Sequence, residues 1–422
     1  MNFRTLDEWL QWQQGLHPRT IDLGLERVRT VWQRLAAPEP LPPVITVAGT
    51  NGKGSCAALL DSMLRAGDFR VGLYTSPHLL RYTERIRIDG REVEEGALCK
   101  TFARVAEARG DVSLTYFEFG TLAALTLFQE AHLDALVLEV GLGGRLDAVN
   151  IIDADVALIT SVGIDHVDWL GPDRERIGAE KAGIFRTGRP AVIAEREPPA
   201  SVVNHAAAVG ATLFRAGRDF SADVVAGGWH WRGAGSVRRD LPAPALRGGV
   251  QIDNAAACLM VLHLLAPRLP LSGDAISRGL VDVRLCGRFQ VVPGAVEWIL
   301  DVAHNPDGVR VLADNLRAQG GEGRTWAVLG MVRGKDVCGV ARILSGLVDG
   351  WYLAGLGAES ERGLSAAELA AALQEAGAQA PMAEHDSVAS ACAAARAAAG
   401  AGDRIVVFGS FFTVAAALRD CV

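Results

Sequence analysis

The chain of 422 residues lacks the marks of secreted and membrane proteins. Its first residues show no charged-then-apolar signal pattern, and no apolar run is long enough to cross a bilayer. Its seven cysteines are scattered, and no two of them form a Cys-x-x-Cys pair. That usage is typical of buried free thiols in a reducing compartment, so we expect a cytoplasmic protein with no membrane partner.

The chain also has no excess of positive charge, because its formal net charge is −7. This balance disfavours extended binding to nucleic acid, although it leaves room for a local basic pocket that holds phosphates. No repeat of solenoid period and no heptad seam is present, and without such a seam we expect a monomer. Half of the residues are hydrophobic, enough for the cores of two or three domains.

Apolar, strand-like runs alternate with helical segments along most of the chain, which indicates an α/β fold with parallel sheets. The predicted strands follow the apolar runs at residues 133–140, 155–161, 189–194, 296–302, 325–331, 350–354 and 404–408. Residues 216–249, rich in Gly, Arg and Trp, predict a peripheral β meander. We expect two domains: an N-terminal P-loop-type ATPase domain with a parallel sheet at 1–287, and a smaller Rossmann-like domain at 288–422.

The most informative segment is a glycine loop between an apolar run at 44–48 and an Ala/Leu-rich helical stretch. It reads Gly49-Thr50-Asn51-Gly52-Lys53-Gly54-Ser55. In such a strand–loop–helix unit, glycines let backbone N–H groups point at phosphate oxygens, the lysine adds a positive charge, and the helix N-terminus adds its dipole. The loop therefore predicts a polyphosphate site. The alternative is a tight turn that needs glycines and binds nothing.

Two positions depart from the standard P-loop pattern G-x-x-x-x-G-K-[ST]. Val47 stands at the first glycine position, and Gly54 rather than a hydroxyl residue follows Lys53. These departures argue against a generic GTPase or kinase loop. Because Gly54 offers no hydroxyl to a metal ion, metal ligands must come from elsewhere in the chain.

Several titratable residues follow strands, where the ligands of open α/β sheets bind. Glu139 ends a buried apolar run and suits Mg²⁺, or else it caps a loop. His166 follows the next run, where a packed or solvated histidine is the plainer alternative. Asp301 lies at the end of a run in the second domain and suits a ribose hydroxyl, and His304 follows that run.

Two basic residues have competing interpretations. Arg288 lies at the expected domain junction and is suited to stabilise a transferring phosphate, with an interdomain salt bridge as the alternative. Lys181 lies in the helical stretch Ile177-Gly178-Ala179-Glu180-Lys181-Ala182. On the residues alone, it is predicted to be an ordinary exposed lysine.

Taken together, several segments resemble the dihydrofolate synthase/folylpolyglutamate synthase family, within the ATP-dependent Mur-type peptide ligases. They occur in the family's order and span nearly the whole chain, at residues 20–27, 48–55, 76–79, 81–86, 138–147, 165–166, 180–184 and 301–306. The Gly-Thr-Asn-Gly-Lys-Gly-Ser loop, with its two departures, is this family's form of the P-loop. One small mismatch is Phe412, where close relatives are expected to carry histidine.

The resemblance implies a role for each of these residues. ATP would contact Thr50, Asn51, Gly52, Lys53, Gly54, Ser55, Asn254, Arg288 and Asp301. Two Mg²⁺ ions would be held by Ser76, Glu139, His166 and a carbamylated Lys181, with K⁺ as an optional further ion. The pterin substrate would contact Thr20, Ile21, Asp22, Leu23, Thr115, Tyr116, Phe117, Glu118, Leu146, Asp147 and Ala148. His304 and Ser410 would contact the incoming glutamate, and catalysis would depend on Lys53, Lys181, His166, Arg288 and His304.

The resemblance further implies an ATP-dependent ligase that adds L-glutamate to dihydropteroate, and to tetrahydrofolate or its polyglutamates, through an acyl phosphate. The alternatives are a monofunctional folylpolyglutamate synthase, a cell-wall Mur ligase and a P-loop nucleotide switch. A cell-wall ligase would need a separate N-terminal nucleotide domain, for which residues 1–43 are too few. A switch has no need for Glu139, His166, Lys181 and Asp301 together.

Overall fold

The computed structural model describes residues 3–35 and 40–422, and the chain divides into two compact units. The first unit extends to Ala245 and resumes from Ile252 to Val283. The second unit comprises Leu246–Gln251 and Arg284–Val422. The expected domain boundary at residue 287 lies four residues from Val283, where the first unit ends. The assignment of residues 246–251 to the second unit was not expected from the sequence.

The helices and strands alternate along the described residues as the sequence pattern predicts. The strands are β1 (Val44–Ala48), β2 (Val71–Tyr74), β3 (Ile86–Ile88), β4 (Arg91–Glu92), β5 (Ala135–Glu139), β6 (Val156–Ile159), β7 (Pro190–Ile193), β8 (Thr212–Arg215), β9 (Phe220–Val225), β10 (Gly228–Gly233), β11 (Ser236–Leu241), β12 (Gln290–Val292), β13 (Glu297–Asp301), β14 (Thr325–Leu329), β15 (Gly350–Ala354), β16 (Met382–His385) and β17 (Arg404–Phe408). The helices are α1 (Leu6–Gln14), α2 (Glu26–Leu35), α3 (Lys53–Ala66), α4 (Glu95–Arg109), α5 (Tyr116–Glu130), α6 (Val167–Leu170), α7 (Arg174–Ala182), α8 (Ala200–Val209), α9 (Val250–Leu265), α10 (Gly273–Asp282), α11 (Pro306–Gln319), α12 (Val337–Leu344), α13 (Ala366–Glu375), α14 (Val388–Ala398) and α15 (Phe411–Asp420).

The first unit is built on an eight-stranded sheet in the order β4-β3-β2-β5-β1-β6-β7-β8. Strands β2, β5, β1, β6, β7 and β8 are parallel, and β3 and β4 add an antiparallel edge. Every residue of β1 and β5 is buried, as expected for central parallel strands. Val47 of β1 lies opposite Glu139 of β5, so the loops that follow these strands leave the same edge of the sheet.

The predicted β meander is a three-stranded antiparallel sheet, β9 to β11. Its outer strands β9 and β11 each contain a single buried residue, as expected of a peripheral element, and the sheet is anchored through β10. Trp229 and Trp231 of β10 are fully buried. The Trp231 Nε1–H donates to the Ala256 carbonyl of α9 at 3.0 Å. Two indole rings bury a large apolar area, and this packing joins the small sheet to the core.

The second unit is a six-stranded sheet in the order β12-β13-β17-β14-β15-β16. All strands are parallel except β12, which pairs antiparallel with β13. The strands predicted at Gly350–Ala354 and Arg404–Phe408 match β15 and β17 to the residue. The α/β class with two parallel-sheet domains is therefore confirmed.

All seven cysteines are free thiols, although not all of them are buried as expected. Cys56, Cys258 and Cys392 lie in the core, whereas Cys286 is exposed and the other three are partly exposed. Among residues 3–35 and 40–422, no helix has both the length and the apolar character needed to span a membrane.

Candidate active site

The glycine loop joins β1 to α3, and two of its glycines lie where a side chain would not fit. Gly49 has a φ of 155°, and a Cβ there would lie 1.9 Å from Thr160 Oγ1. Gly52 has a φ of 86° and caps α3, and its Cβ would lie 3.1 Å from Asn254 Oδ1. The left-handed backbone at Gly52 is one that glycine adopts without strain. Asn254, predicted to contact ATP, therefore lies beside the loop.

Residues that follow β6 hold the other side of the loop. The Thr160 hydroxyl donates to the Asn51 carbonyl at 2.6 Å, and the Asn51 N–H donates to Ser161 Oγ at 3.0 Å. The Thr50 hydroxyl donates to the Gly163 carbonyl at 3.1 Å. Thr160 and Ser161 were not predicted as site residues. Their position at the end of the predicted strand 155–161 was the available signal.

Lys53 begins α3, and its ammonium lies over the loop. Lys53 Nζ donates to the Gly49 carbonyl at 3.0 Å and to the Thr50 carbonyl at 3.2 Å. The first turn of α3 carries no acidic residue of its own, so the positive end of the helix dipole is not neutralised from within the helix. The amine, the dipole and the glycine backbone together form a site suited to anionic oxygens.

Glu139 ends β5 beside the loop and is 4% exposed. Its Oε2 accepts a hydrogen bond from the Ser76 N–H at 3.1 Å. Ser76 follows β2, which is the neighbour of β5 on the side away from β1. A buried carboxylate, beside a residue that carries a hydroxyl, offers the hard oxygen donors that Mg²⁺ prefers, so the chemistry of these residues fits the predicted metal.

His166 lies farther out, as the exposed N-cap of the short helix α6, with a φ of 52°. The backbone N–H of His166 donates to Asp165 Oδ1 at 2.8 Å. The described part of the chain contains no cluster of three or more His, Cys, Asp or Glu side chains placed to hold a metal ion. The joint ligand set of Ser76, Glu139, His166 and Lys181 therefore stays a prediction.

Lys181 is buried in α7 at 3% exposure, so the interpretation as an exposed helical lysine was wrong. Burial, together with the positive charge of Lys53, lowers the pKa of Lys181 to about 7, although Asp165 partly opposes the shift. The cause of the burial is close packing of α7 on the loop after β5. A Cβ at Gly144 would lie 2.9 Å from the Glu180 and Lys181 carbonyl oxygens. A lysine with this pKa has an appreciable neutral fraction near pH 7, and a neutral amine is a nucleophile.

The three segments predicted to bind the pterin are joined in the first unit. Arg27 Nη2 lies 3.0 Å from Glu118 Oε1, and Arg27 Nη1 lies 2.7 Å from Asp22 Oδ2. The Gly24 N–H donates to the Leu146 carbonyl at 3.3 Å. The structure therefore brings together residues 20–23, 115–118 and 146–148, although they are far apart in sequence.

Asp147 is the buried carboxylate of this group. Its two oxygens accept hydrogen bonds from the Leu142 N–H at 2.9 Å and the Val149 N–H at 3.0 Å. Burial raises the pKa of Asp147 to about 7, and the backbone donors partly oppose that shift. Phe117 packs against Gly141, where a Cβ would lie 2.6 Å from the ring. The Asp147 side chain thus fixes residues 146–148 through hydrogen bonds from the backbone on both sides of it.

In the second unit, Asp301 fixes the chain at the end of β13. Its oxygens accept hydrogen bonds from the Phe289 N–H and the Ala303 N–H, both at 2.8 Å. Burial raises the pKa of Asp301, while these N–H groups and the Arg288 charge oppose the shift. Both carboxylate oxygens of Asp301 therefore accept hydrogen bonds from the backbone. The contact of Asp301 with a ribose hydroxyl stays a prediction.

Arg288, His304 and Ser410 gather around the start of α15. The Arg288 guanidinium lies 5.1 Å from the centroid of the Phe411 ring, and the His304 ring lies 6.3 Å from it. His304 Nδ1 is 2.9 Å from the Val302 carbonyl, and Ser410 Oγ accepts from the Phe412 N–H at 3.2 Å. The three predicted residues therefore share one region of the second unit.

Comparison with known proteins decides the family. The Mur ligase middle domain matches residues 47–229, and the Mur ligase, glutamate ligase domain matches residues 287–411. Dihydrofolate synthase/folylpolyglutamate synthase of Escherichia coli (strain K12) is 48% identical over 410 residues, which cover 97% of this chain and 94% of that protein. This chain belongs to the dihydrofolate synthase/folylpolyglutamate synthase family. It is an ATP-dependent ligase with the Mur ligase fold.

Solved structures of dihydrofolate synthase/folylpolyglutamate synthases have the same fold. FolC of E. coli in complex with DHPP and ADP has a TM-score of 0.93 at 46% identity, covering 99% of this chain and 97% of that one. A bifunctional folylpolyglutamate synthase/dihydrofolate synthase with Mn, AMPPNP and L-glutamate bound has a TM-score of 0.90 at 48% identity, covering 99% and 98%. Those proteins bind a nucleotide, and the second also binds a divalent metal.

Arg288→Ala is expected to lower turnover about 10²-fold while shifting the melting temperature by only a few degrees, because a positioned cation acts on developing charge in the transition state. Steady-state rates and thermal unfolding of the same samples check this. Arg317→Ala is the control, since Arg317 forms an exposed ion pair with Asp314 at 2.8 Å on α11. A large loss of stability with near-normal turnover would favour the salt-bridge alternative for Arg288.

Proposed function

We propose that this chain joins L-glutamate to dihydropteroate, and also to tetrahydrofolate or its polyglutamates, with ATP as the phosphoryl donor. The names of its relatives support both activities, since the E. coli protein and the metal-bound structure are each named for both. The single observation that carries the proposal is the shared edge of the first sheet. There the glycine loop follows β1, Glu139 ends the neighbouring strand β5, and Ser76 follows the next strand, β2.

The proposed reaction has two steps. The substrate carboxylate attacks the γ-phosphorus of ATP, which breaks the bond to the β–γ bridging oxygen and gives an acyl phosphate and ADP. The amine of L-glutamate then attacks the acyl carbon, phosphate leaves, and the nitrogen loses a proton to give the amide. A free carboxylate is a poor electrophile at neutral pH, and phosphorylation gives its carbon a good leaving group.

The first step brings two anions together, so cationic groups must neutralise their repulsion. Lys53 and the N-terminus of α3 would hold the phosphates, and Thr50, Asn51 and Ser55 would supply backbone or hydroxyl donors. Ser76, Glu139 and His166 would hold Mg²⁺, which when bound neutralises charge on phosphate oxygens. Asn254, Arg288 and Asp301 are proposed as further ATP contacts, and K⁺ is proposed as an optional ion.

Lys181 is proposed to be carbamylated. Its neutral amine would attack carbon dioxide, form a C–N bond and lose a proton, which turns a cation into a carboxylate-like anion. Burial of Lys181 supports this proposal, because a buried positive charge near Lys53 is unfavourable and a carbamate removes it. The carbamate would then join Glu139 and His166 in holding the metal.

The second step requires an unprotonated glutamate amine. His304 is proposed to accept the proton, and Ser410 is proposed to contact the glutamate. A histidine suits this role because its ordinary pKa lies near neutral pH. The state of the protein is proposed to be a monomer in the cytoplasm, and the free thiols of all seven cysteines support a reducing compartment.

The function is tested by supplying dihydropteroate and tetrahydrofolate separately, each with ATP and L-glutamate, and by identifying the products by mass. We expect one added glutamate on dihydropteroate, one or more on tetrahydrofolate, and one ADP per amide bond. Product from tetrahydrofolate alone would identify a monofunctional folylpolyglutamate synthase. ADP release that depends on neither pterin nor glutamate would identify a nucleotide switch.

A further inference from the structure

Arg27 lies at the start of α2, and it contacts two of the three segments proposed to bind the pterin. Its Nη1 lies 2.7 Å from Asp22 Oδ2, and its Nη2 donates to the Asp22 carbonyl at 2.7 Å. The same Nη2 lies 3.0 Å from Glu118 Oε1. One guanidinium therefore spans a backbone carbonyl and two carboxylates, an arrangement that its planar fork of donors allows.

The contact with Glu118 extends to the start of α5. Glu118 is 3% exposed, so its carboxylate needs partners to be stable in the core. Its Oε2 accepts from the Thr115 N–H at 2.7 Å, and its own N–H donates to Thr115 Oγ1 at 3.2 Å. This capping box fixes the first turn of α5, which carries Tyr116 and Phe117. Arg27 thus neutralises the carboxylate that shapes the second segment.

Asp22 is surrounded by positive or potentially positive groups. Besides Arg27, Asp22 Oδ2 lies 3.4 Å from His17 Nε2, and Asp22 Oδ1 lies 3.6 Å from Arg19 Nη1. The chain between Asp22 and Arg27 meets the third segment through Gly24, whose N–H donates to the Leu146 carbonyl. Displacement of Arg27 would therefore disturb the contacts of all three segments.

We propose that Arg27 is a positioning residue for the pterin substrate, which acts by holding Asp22 and Glu118 at a fixed spacing. This inference rests on the proposed function. Arg27 is not a catalytic residue, because its guanidinium is engaged by the protein's own carboxylates. A lysine cannot replace it, since a single ammonium cannot reach the Asp22 carbonyl and both carboxylates with the geometry of a guanidinium.

The experiment measures KM for dihydropteroate, tetrahydrofolate, ATP and L-glutamate in Arg27→Met and Arg27→Lys. We expect KM for both pterins to rise about tenfold or more, and KM for ATP and glutamate to stay within about twofold, because loss of charged hydrogen bonds loosens the pterin segments alone. Arg34→Met is the matched control. Arg34 lies on the same helix and donates to the Ala108 and Arg109 carbonyls at 2.9 and 3.0 Å, outside the three segments.

A double-mutant cycle with Asp22→Asn tests whether Arg27 acts through Asp22. For kcat/KM with dihydropteroate, the effects of the Arg27 and Asp22 substitutions should be strongly non-additive. The effects of Asp22→Asn and Arg34→Met on the same quantity should be additive, because Arg34 donates to the Ala108 and Arg109 carbonyls instead. If Arg27→Met does not fold, Arg27→Lys with Asp22→Asn gives the same test. Equal changes in KM for all four substrates, or additivity of Arg27 with Asp22, would overturn the inference. A wild-type protein that makes no pteroyl amide would instead overturn the proposed function.

Discussion

Lys53→Ala is expected to lower the rate of glutamate ligation about 10²–10³-fold while leaving the first unit folded. Lys53 Nζ donates to the Gly49 and Thr50 carbonyls, which belong to the loop itself, and Lys53 lies in the first turn of α3, where alanine is a good helix former. Its proposed task is to stabilise charge on the phosphate oxygens during transfer, where one well-placed group contributes about 10²–10³ in rate. ADP release and amide formation measured on the same sample check the prediction.

The chain offers a simple control for this substitution. Its lysines are Lys53, Lys100, Lys181 and Lys335. Lys100 lies exposed on α4, so Lys100→Ala should leave the rate within about twofold of the wild type, as expected for a surface change. Circular dichroism and thermal unfolding should be unchanged in both variants. Turnover retained by Lys53→Ala would contradict the assignment of the glycine loop to ATP.

Lys181→Ala is expected to abolish turnover, and short carboxylates such as acetate should restore part of it. The reason is that the proposed functional group at this position is the carboxylate end of a carbamate, which a small carboxylate replaces in the cavity left by the side chain. Lys181→Arg keeps a positive charge but forms no carbamate, and it should stay inactive. The measurement is turnover against acetate concentration, with Lys100→Ala showing no response to acetate.

Carbon dioxide provides a second measurement on the unmodified enzyme. Only the neutral amine reacts with carbon dioxide, and a pKa of about 7 leaves about one amine in ten neutral at pH 6 and most of them neutral at pH 8. Enzyme depleted of carbon dioxide should therefore lose activity and recover it on addition of bicarbonate, faster at pH 8 than at pH 6. Absence of acetate rescue together with indifference to carbon dioxide would contradict the carbamate.

Much of the fold could be predicted because its signals are local. Central parallel strands are apolar along their whole length, and this pattern located β15 and β17 to the residue. The glycine loop was predicted for the same reason, since strand, glycines, lysine and helix are adjacent in the chain. The meander at 216–249 was predicted from its composition, but only packing against Ala256 shows that Trp231 anchors it to α9.

The site was predicted less completely, because its residues act through contacts between distant segments. Thr160 and Ser161 hold the loop at Asn51 from more than one hundred positions away. Lys181 has an unremarkable helical neighbourhood in sequence, and it was assigned to the surface on that basis. Its burial depends on Gly144, which lets α7 pack closely on a loop that follows another strand.

The sequence by itself determined the α/β class, the phosphate-type loop at Gly49 to Ser55 and, through its ordered motifs, the resemblance to an amide-ligase family. These follow from periodicity and from short contiguous motifs, which need no knowledge of distant contacts. Only the tertiary structure decided that Lys181 is buried, that Ser76 lies beside Glu139, and that Arg27 joins Asp22 to Glu118. The physical reason is that burial and electrostatic pairing are properties of neighbours in space, and those neighbours are brought together by the order of strands in the sheet and the packing of helices.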